Sequence, residues 1–208
     1  MMKRISCLLF LFASVGGFVH AQDEFGAWTS LQVGKSWSKC YISFRGEYRS
    51  NNDFGGIDSY FLRPTVGYKF LPWLKADLSY DYLYRTGSPQ NRWLLSVTAS
   101  LRQGPLSLSL RERYVGAWAI NSLNYSNVLR SFLKGQYKIE LANGRCSLSP
   151  YVAIEIYAWD KWKQSHHFVG TTFCIGKCHS LDLFYAWNVS ASKNHADHVI
   201  GVGYNLDL

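Results

Sequence analysis

Between residues 106 and 114, apolar side chains alternate almost strictly with polar or basic side chains. Successive side chains of a β-strand point to opposite faces, so this segment predicts a strand with one apolar face and one polar, basic face. In a soluble sandwich the polar face would meet solvent. In an outer-membrane barrel the apolar face would meet lipid and the basic face would line the interior. The choice between these two folds decides how the rest of the chain is interpreted.

The same alternation recurs along the chain and gives eleven candidate strands, the first at residues 25–34 and the last at residues 198–208. Most of these runs exceed the usual strand length of about 5 to 6 residues. Roughly 10 tilted residues suffice to cross a lipid band of about 25 Å. Glu112 is the one charged residue on the predicted apolar faces. We therefore predict an all-β fold, an antiparallel transmembrane β-barrel of about 10 to 12 strands. An even strand number is expected, and a secreted soluble β-sandwich binding module is the alternative.

The N-terminal residues have the anatomy of a secretory signal peptide. Lys3 and Arg4 precede an apolar run at residues 5–19, which ends at Val19-His20-Ala21. This run is shorter than the roughly 20 residues that a membrane-spanning helix needs. We predict a signal peptide at residues 1–21, a barrel domain at residues 22–208, and a location in the outer membrane of a Gram-negative bacterium.

The charge balance bears on the partners. The net charge of +8 suits an anionic partner, and in this compartment lipopolysaccharide phosphates are favoured over nucleic acid. We predict a monomer that contacts outer-membrane lipid and lipopolysaccharide, binds no nucleic acid, and handles small anionic solutes if it forms a pore.

The connections between candidate strands alternate in length, with short turns at residues 71–72, 103–105, 142–144 and 176–177. Short turns are periplasmic in bacterial barrels, so this pattern orients the chain with its C-terminus in the periplasm. Aromatic residues then predict a lower girdle of Tyr41, Phe70 and Trp73. The predicted upper girdle contains Tyr48, Tyr60, Tyr84, Trp93, Tyr114 and Trp118. Pro64 and Pro150 lie inside strands and predict local bulges.

Charged residues concentrate on the predicted inner faces, where basic residues outnumber acidic ones. The candidate lumen network comprises Arg45, Glu47, Arg49, Arg63, Arg111, Arg113, Arg130 and Glu155. Burying a charged side chain costs free energy unless the charge is paired or hydrated. These residues therefore either form an ion-pair network that plugs a small structural barrel or line a narrow passive pore for anionic solutes. We favour the plug, because barrels of about eight strands fill their own interior and this one is little larger.

Cysteines and histidines offer weaker candidates. Cys174 and Cys178 flank a tight hairpin, and an oxidising compartment favours a disulfide between them. The other group is predicted on neighbouring outer loops and comprises His166, His167, His195, His198 and Asp197. Of these, His195 and His198 are weak candidates for metal binding, and no metal or other cofactor is predicted.

An enzymatic function has little support in the sequence. Ser165 and His166 are adjacent at the predicted rim and would suit a lipid-modifying barrel enzyme. A serine nucleophile, however, needs a histidine that a third group holds in place, and no such partner is recognisable. The sequence therefore predicts a protein that is not an enzyme.

Four short segments carry a resemblance to a known family: residues 24–30 (EFGAWTS), 46–49 (GEYR), 108–114 (LSLRERY) and 150–152 (PYV). Together they resemble the domain of unknown function 2490 family, over most of the chain that follows residue 21. The resemblance implies an outer-membrane β-barrel with no assigned activity. No functional residue is carried over from it.

Overall fold

The computed structural model describes residues 24–51, 56–85, 88–120, 125–159, 161–192 and 196–208. The predicted signal peptide lies outside these residues. The described chain forms twelve strands and one 3-10 helix at Ala142–Gly144. The strands are β1 (Glu24–Trp37), β2 (Cys40–Asn51), β3 (Gly56–Leu71), β4 (Leu74–Arg85), β5 (Gln90–Gln103), β6 (Leu106–Ala119), β7 (Tyr125–Tyr137), β8 (Ile139–Leu141), β9 (Cys146–Trp159), β10 (Lys161–Ile175), β11 (His179–Ser190) and β12 (Asp197–Asp207). No helix within the described ranges has the length and apolar character to cross a membrane.

All twelve strands belong to one sheet, which closes on itself as a barrel. Apart from the short β8, each strand pairs with the strands that precede and follow it in the chain, and β1 and β12 complete the circle. The three residues of β8 pair with β9 just beyond the end of β7, so β7 and β8 share one position in the wall. The wall therefore has eleven positions. The barrel prediction is confirmed, and the sandwich alternative is wrong because a single closed sheet replaces two facing ones.

The seam of the barrel differs from the prediction. β1 and β12 pair in parallel, with Trp28 opposite Gly201 and Gly34 opposite Asp207. Each hairpin reverses the chain direction, so the first and last strands of an odd-numbered wall must run the same way. The expectation of an even number and a wholly antiparallel barrel is thus wrong at this one pairing. As a consequence, the chain enters β1 at the long-loop end and leaves β12 at the short-turn end.

The two faces of the wall have opposite chemistry. Apolar side chains point outward and are exposed, as in Leu101 at 68 % and Val66 at 56 %. Buried inward positions include charged and hydroxyl residues such as Asp81, Ser96 and Glu155. A strand sends alternate residues to alternate faces, so this inside-out arrangement follows directly from the alternating sequence.

The two prolines interrupt hydrogen bonding without shifting the register. Pro64 lies opposite Phe44 on β2, and Pro150 lies opposite Thr171 on β10, each within a continuous run of pairs. The predicted bulges at Pro64 and Pro150 are therefore wrong. A strand can skip the hydrogen bond that proline cannot donate and resume in the same register. The register shifts of the barrel lie elsewhere, at Arg49/Ser50, Lys69/Leu71 and Trp162/Gln164.

Two tyrosine rings lie flat against the inner wall near the short turns. Tyr41 donates a hydrogen bond to Asp77 Oδ2 at 3.1 Å, and its ring covers Gly67, where an added Cβ would overlap it. Tyr151 covers Gly170 in the same manner, 2.7 Å from the position of an added Cβ. Close approach of a ring to the backbone requires glycine at both positions. Tyr41 thus lies in the lumen, and its predicted place in the lower girdle is wrong.

Candidate functional site

Three carboxylates in the lumen each bind two arginines, and the first such triad lies on a single strand. Arg45, Glu47 and Arg49 alternate along β2, so all three side chains face inward. Arg45 Nη2 donates to Glu47 Oε2 at 2.6 Å, and Arg49 Nε donates to Glu47 Oε1 at 2.7 Å. The spacing of two residues is the shortest that places side chains on one face of a strand.

The second triad joins three neighbouring strands through Asp81 of β4. Arg63 of β3 donates to Asp81 Oδ2 at 2.7 Å, and Arg92 of β5 donates to the same oxygen at 2.6 Å. The carboxylate is fully buried. The residues named for the predicted network include neither Asp81 nor Arg92. The alternation of β4 does turn Asp81 inward, whereas Arg92 was missed because its strand starts at Gln90 rather than Trp93. Extending the alternation of β5 backwards by one residue would have placed Arg92 inward.

The third triad is centred on Glu155 of β9. Its carboxylate accepts hydrogen bonds from Arg111 Nη2 at 3.0 Å, from Arg130 Nη2 at 2.7 Å and from the Tyr157 hydroxyl at 2.9 Å. Arg111 belongs to β6 and passes over the ring of Phe132 on β7, with its guanidinium carbon 4.8 Å from the ring centre. All of these contacts lie on the inner wall among β6, β7 and β9, which are consecutive in the sheet.

Arg113 is the exception among the predicted lumen arginines. It is only 6 % exposed, and its Nε donates to the Ser96 hydroxyl at 2.9 Å. Within the described part of the chain, no carboxylate lies within salt-bridge distance of it. The neighbouring Arg63, Arg111 and Arg130 all repel it electrostatically. Glu155 attracts Arg113 from a longer distance, but no carboxylate of the described chain forms an ion pair with this buried charge.

Aromatic side chains line another sector of the lumen. Phe132 contacts Phe168 with ring centres 6.0 Å apart, and Phe168 contacts Phe184 at 5.7 Å. Trp28 of β1 continues this aromatic arc at 6.3 Å from Phe184 and also approaches His166 at 5.6 Å. The arc consists of Trp28, Phe132, Phe168 and Phe184, and sequence reasoning did not single out any of them. Each of them occupies a strand position whose side chain alternates to the inner face, and this alternation could have identified them from the sequence.

The arginines and the aromatic arc enclose a cavity of about 280 Å³. Above it, at the long-loop end, lies a second recess of about 420 Å³. Both spaces are lined by Trp28, Arg49, Gln164 and His166, so they adjoin each other. The triads hold charge against the wall, and this cavity lies between them and the aromatic arc. The arrangement can hold a small guest or water between fixed charges.

Comparison with known proteins agrees with this architecture. The family model described as "Protein of unknown function (DUF2490)" matches residues 25–199. The chain belongs to the DUF2490 family. The resemblance predicted from the sequence is thereby confirmed. No curated protein matches the chain.

The histidines do not form the outer-loop group that the sequence predicts. His166 lies on the lumen side of β10, and His167 points outward from the same strand against Trp187, with ring centres 5.0 Å apart. His198 is buried in β12 and shares a hydrogen bond with Tyr185. These loop assignments are wrong because β10 begins at Lys161 and β12 at Asp197. His195 lies outside the described residues, which contain no group of three or more potential metal ligands.

The candidate serine pairs with a different histidine. Ser165 Oγ lies 3.1 Å from Nε2 of His167, its neighbour on the outward face, whereas His166 points into the lumen. The predicted Ser165–His166 pair is therefore wrong. Within the described ranges no carboxylate bonds to His167. The pair has no acid to orient the imidazole.

The four cysteines in the described chain are free thiols in this structure. Cys174 lies on β10 opposite Ser180, and Cys178 lies in the adjoining turn. The disulfide between Cys174 and Cys178 stays a prediction for the oxidised protein.

Proposed function

We propose that this DUF2490 protein is a monomeric outer-membrane barrel whose lumen is plugged by fixed ion pairs. The outer surface supports membrane residence, because its exposed side chains are mainly large and apolar around the whole circumference, as with Leu31, Leu78, Leu110 and Val202. Soluble proteins rarely expose a continuous apolar surface of this extent. Lipid, by contrast, accepts such a surface on a closed barrel.

Aromatic side chains at the two ends of the apolar surface support the same proposal. On the long-loop side, Tyr60 stacks on Tyr84 and Trp93 packs on Tyr114, each with ring centres 5.0 Å apart. On the short-turn side the exposed aromatic residues are Trp37, Tyr68, Phe70, Trp73 and Tyr137. Aromatic girdles of this kind mark the two lipid–water interfaces of membrane barrels.

The observation that carries the plugged-lumen proposal is the sharing of each carboxylate by two arginines. Glu47, Asp81 and Glu155 are all buried, and each is held by two short ion pairs. Such contacts fix long arginine side chains inside the barrel instead of leaving them along a water-filled channel. An eleven-position barrel is close to the size at which side chains fill the interior.

The closed wall also supports the proposed partners. Every long strand of the described chain is paired on both sides, so the barrel wall offers no long free edge to a second copy. We propose a monomer surrounded by outer-membrane lipid, including lipopolysaccharide at the long-loop end.

Two measurements test the proposal. Protein from outer-membrane preparations should need detergent for extraction, and unboiled protein should migrate differently from boiled protein on gels. In planar bilayers, protein shown by this gel shift to be folded should produce no discrete conductance steps. A detergent-free soluble monomer would refute membrane residence, and sustained ohmic steps would refute the plug in favour of a pore.

A lipid-modifying enzyme is the second candidate, on one observation. Ser165 and His167 are hydrogen-bonded at 3.1 Å on the outward face, where an acyl chain would pass. The ring of Trp187 covers His167, and an orienting acid is lacking from the described residues. The plugged barrel is therefore the function that the geometry supports best.

A further inference from the structure

The cavity of about 280 Å³ has different linings on its two sides. On the side of β1, β10 and β11 its wall carries Trp28, Phe168 and Phe184 of the aromatic arc, together with the polar side chains of Gln164, His166 and Asp182. On the side of β2 to β6 its wall is cationic and includes Arg113. A space with aromatic rings on one side and arginines on the other matches the general composition of small-molecule sites, which combine aromatic lining with a few placed polar groups.

The charges around the cavity do not cancel. Each triad contains two arginines and one carboxylate, so each contributes one excess positive charge. Arg113 adds another, since no acid among the described residues pairs with it. In addition, four other arginines each have a buried Nε atom that lacks a hydrogen-bond partner in the described chain. They are Arg45, Arg92, Arg111 and Arg130. Uncompensated buried charge is costly, so a negative ligand would relieve it.

Access to the cavity is available from the long-loop end. The recess of about 420 Å³ above it shares Arg49, Gln164 and His166 with the cavity lining. At about 280 Å³ the cavity lies just below the usual range of about 300 to 1,000 Å³ for ligand pockets. Its occupant is therefore small.

We propose that the lumen binds a small organic anion, with its carboxylate or phosphate group on Arg113 and its apolar body against Phe168 and Phe184. Any ligand of this kind must join an oxyanion to a planar or compact apolar group. An arginine fork recognises such oxyanions by paired hydrogen bonds. This inference adds a ligand to the plugged barrel and does not require a conducting lumen. The conductance experiment can therefore refute the plug without refuting the ligand, and the binding experiment can refute the ligand without refuting the plug.

Isothermal titration of the folded, detergent-solubilised protein tests the proposal. Sodium benzoate is the probe, because it joins a carboxylate to an aromatic ring, and sodium acetate and inorganic phosphate lack the ring. Benzoate should bind more tightly than either, and it should raise the unfolding temperature in proportion to its concentration. Arg113→Gln should weaken benzoate binding about tenfold or more, the usual effect of losing a hydrogen bond to a charged group. Arg102→Gln, at an exposed position beside the short turn, should leave benzoate binding unchanged.

The charge removed in Arg113→Gln has no direct ion pair in the described chain and is repelled by three arginines, so this variant should be at least as stable as the wild type in buffer without organic anions. Phe168→Leu provides an independent test, since it should weaken benzoate binding and leave acetate binding unaltered. Absence of benzoate binding to the wild type would overturn the proposal, and so would equal binding to Arg113→Gln. Equal affinity for benzoate, acetate and phosphate would overturn the assignment of the aromatic arc as part of the site.

Discussion

Replacement of Glu155 by glutamine should destabilise the barrel by about 3 kcal/mol. Removing one partner of a buried ion pair costs about 3 to 5 kcal/mol, because the remaining charge stays buried without compensation. Glu155 compensates two arginines and accepts a third hydrogen bond from Tyr157. Arg111 is 27 % exposed towards the cavity, so water can reach it and hold the cost near the lower limit.

A matched control is available on the same protein. Lys138 Nζ and Glu140 Oε1 are 3.0 Å apart, the same separation as between Arg111 and Glu155. The Glu140 side chain is 67 % exposed, however, whereas that of Glu155 is 6 % exposed. Exposed pairs contribute about 0 to 1 kcal/mol, so Glu140→Gln should be nearly neutral. Urea titration in detergent micelles, followed by tryptophan fluorescence, gives both free energies of unfolding by linear extrapolation.

Equal stability of the Glu155→Gln and Glu140→Gln proteins would refute the reasoning, because burial would then make no difference to the pair. A double variant separates excess charge from lost hydrogen bonds. Glu155→Gln adds one uncompensated positive charge to the lumen, and Arg113→Gln removes one. The double variant should therefore recover part of the lost stability. A double variant as unstable as Glu155→Gln would assign the whole cost to the lost hydrogen bonds.

Four further outcomes follow from the structure. If the barrel lies in the outer membrane as proposed, an epitope tag ahead of β1 should react on intact cells and a tag after β12 only after permeabilisation. Two tags that react on one side would contradict the parallel seam. Cys174 and Cys178 should appear as a linked peptide in mass spectra of unreduced, exported protein, and alkylation of both thiols would refute the bond. A fluorophosphonate probe should leave Ser165 unmodified, while its labelling would favour the enzyme. Gly201→Ala should lower the free energy of unfolding by roughly 1 to 3 kcal/mol, because the added methyl overlaps the Phe184 ring; unchanged stability in the urea assay would contradict this packing.

The face of the strand to which each side chain points could be predicted from the sequence, since the two-residue alternation of side chains is a local property of the chain. That is why Arg45, Glu47 and Arg49 could be assigned to the lumen as a group. The ends of the strands were predicted less accurately than the faces. Arg92 was missed because β5 begins earlier than the apolar run, and His166 was placed in a loop because β10 extends beyond the lipid-length segment.

Partners on distant strands could not be predicted from the sequence. Arg111 and Glu155 are 44 positions apart, and their contact depends on the registers of β6, β7 and β9 together. A change of one residue in any of these registers would turn one partner to the outer face. The sequence indicates an excess of inward arginines, but only the registers show that Glu155 is shared by two of them and that Arg113 has none among the described residues.

The two-sided lumen depends on the closure between β1 and β12, a feature that local alternation does not encode. The parallel seam sets Trp28 opposite Gly201, and the glycine leaves room for the Phe184 ring on the lumen side. Trp28 can then reach Phe184 and His166, which belong to strands near the other end of the chain. An antiparallel seam would require an even number of wall positions, and a further strand inserted between β12 and β1 to provide it would separate these rings. The odd number of wall positions therefore brings the aromatic residues together on one side of the lumen, while the arginines of β2 to β6 occupy the other side.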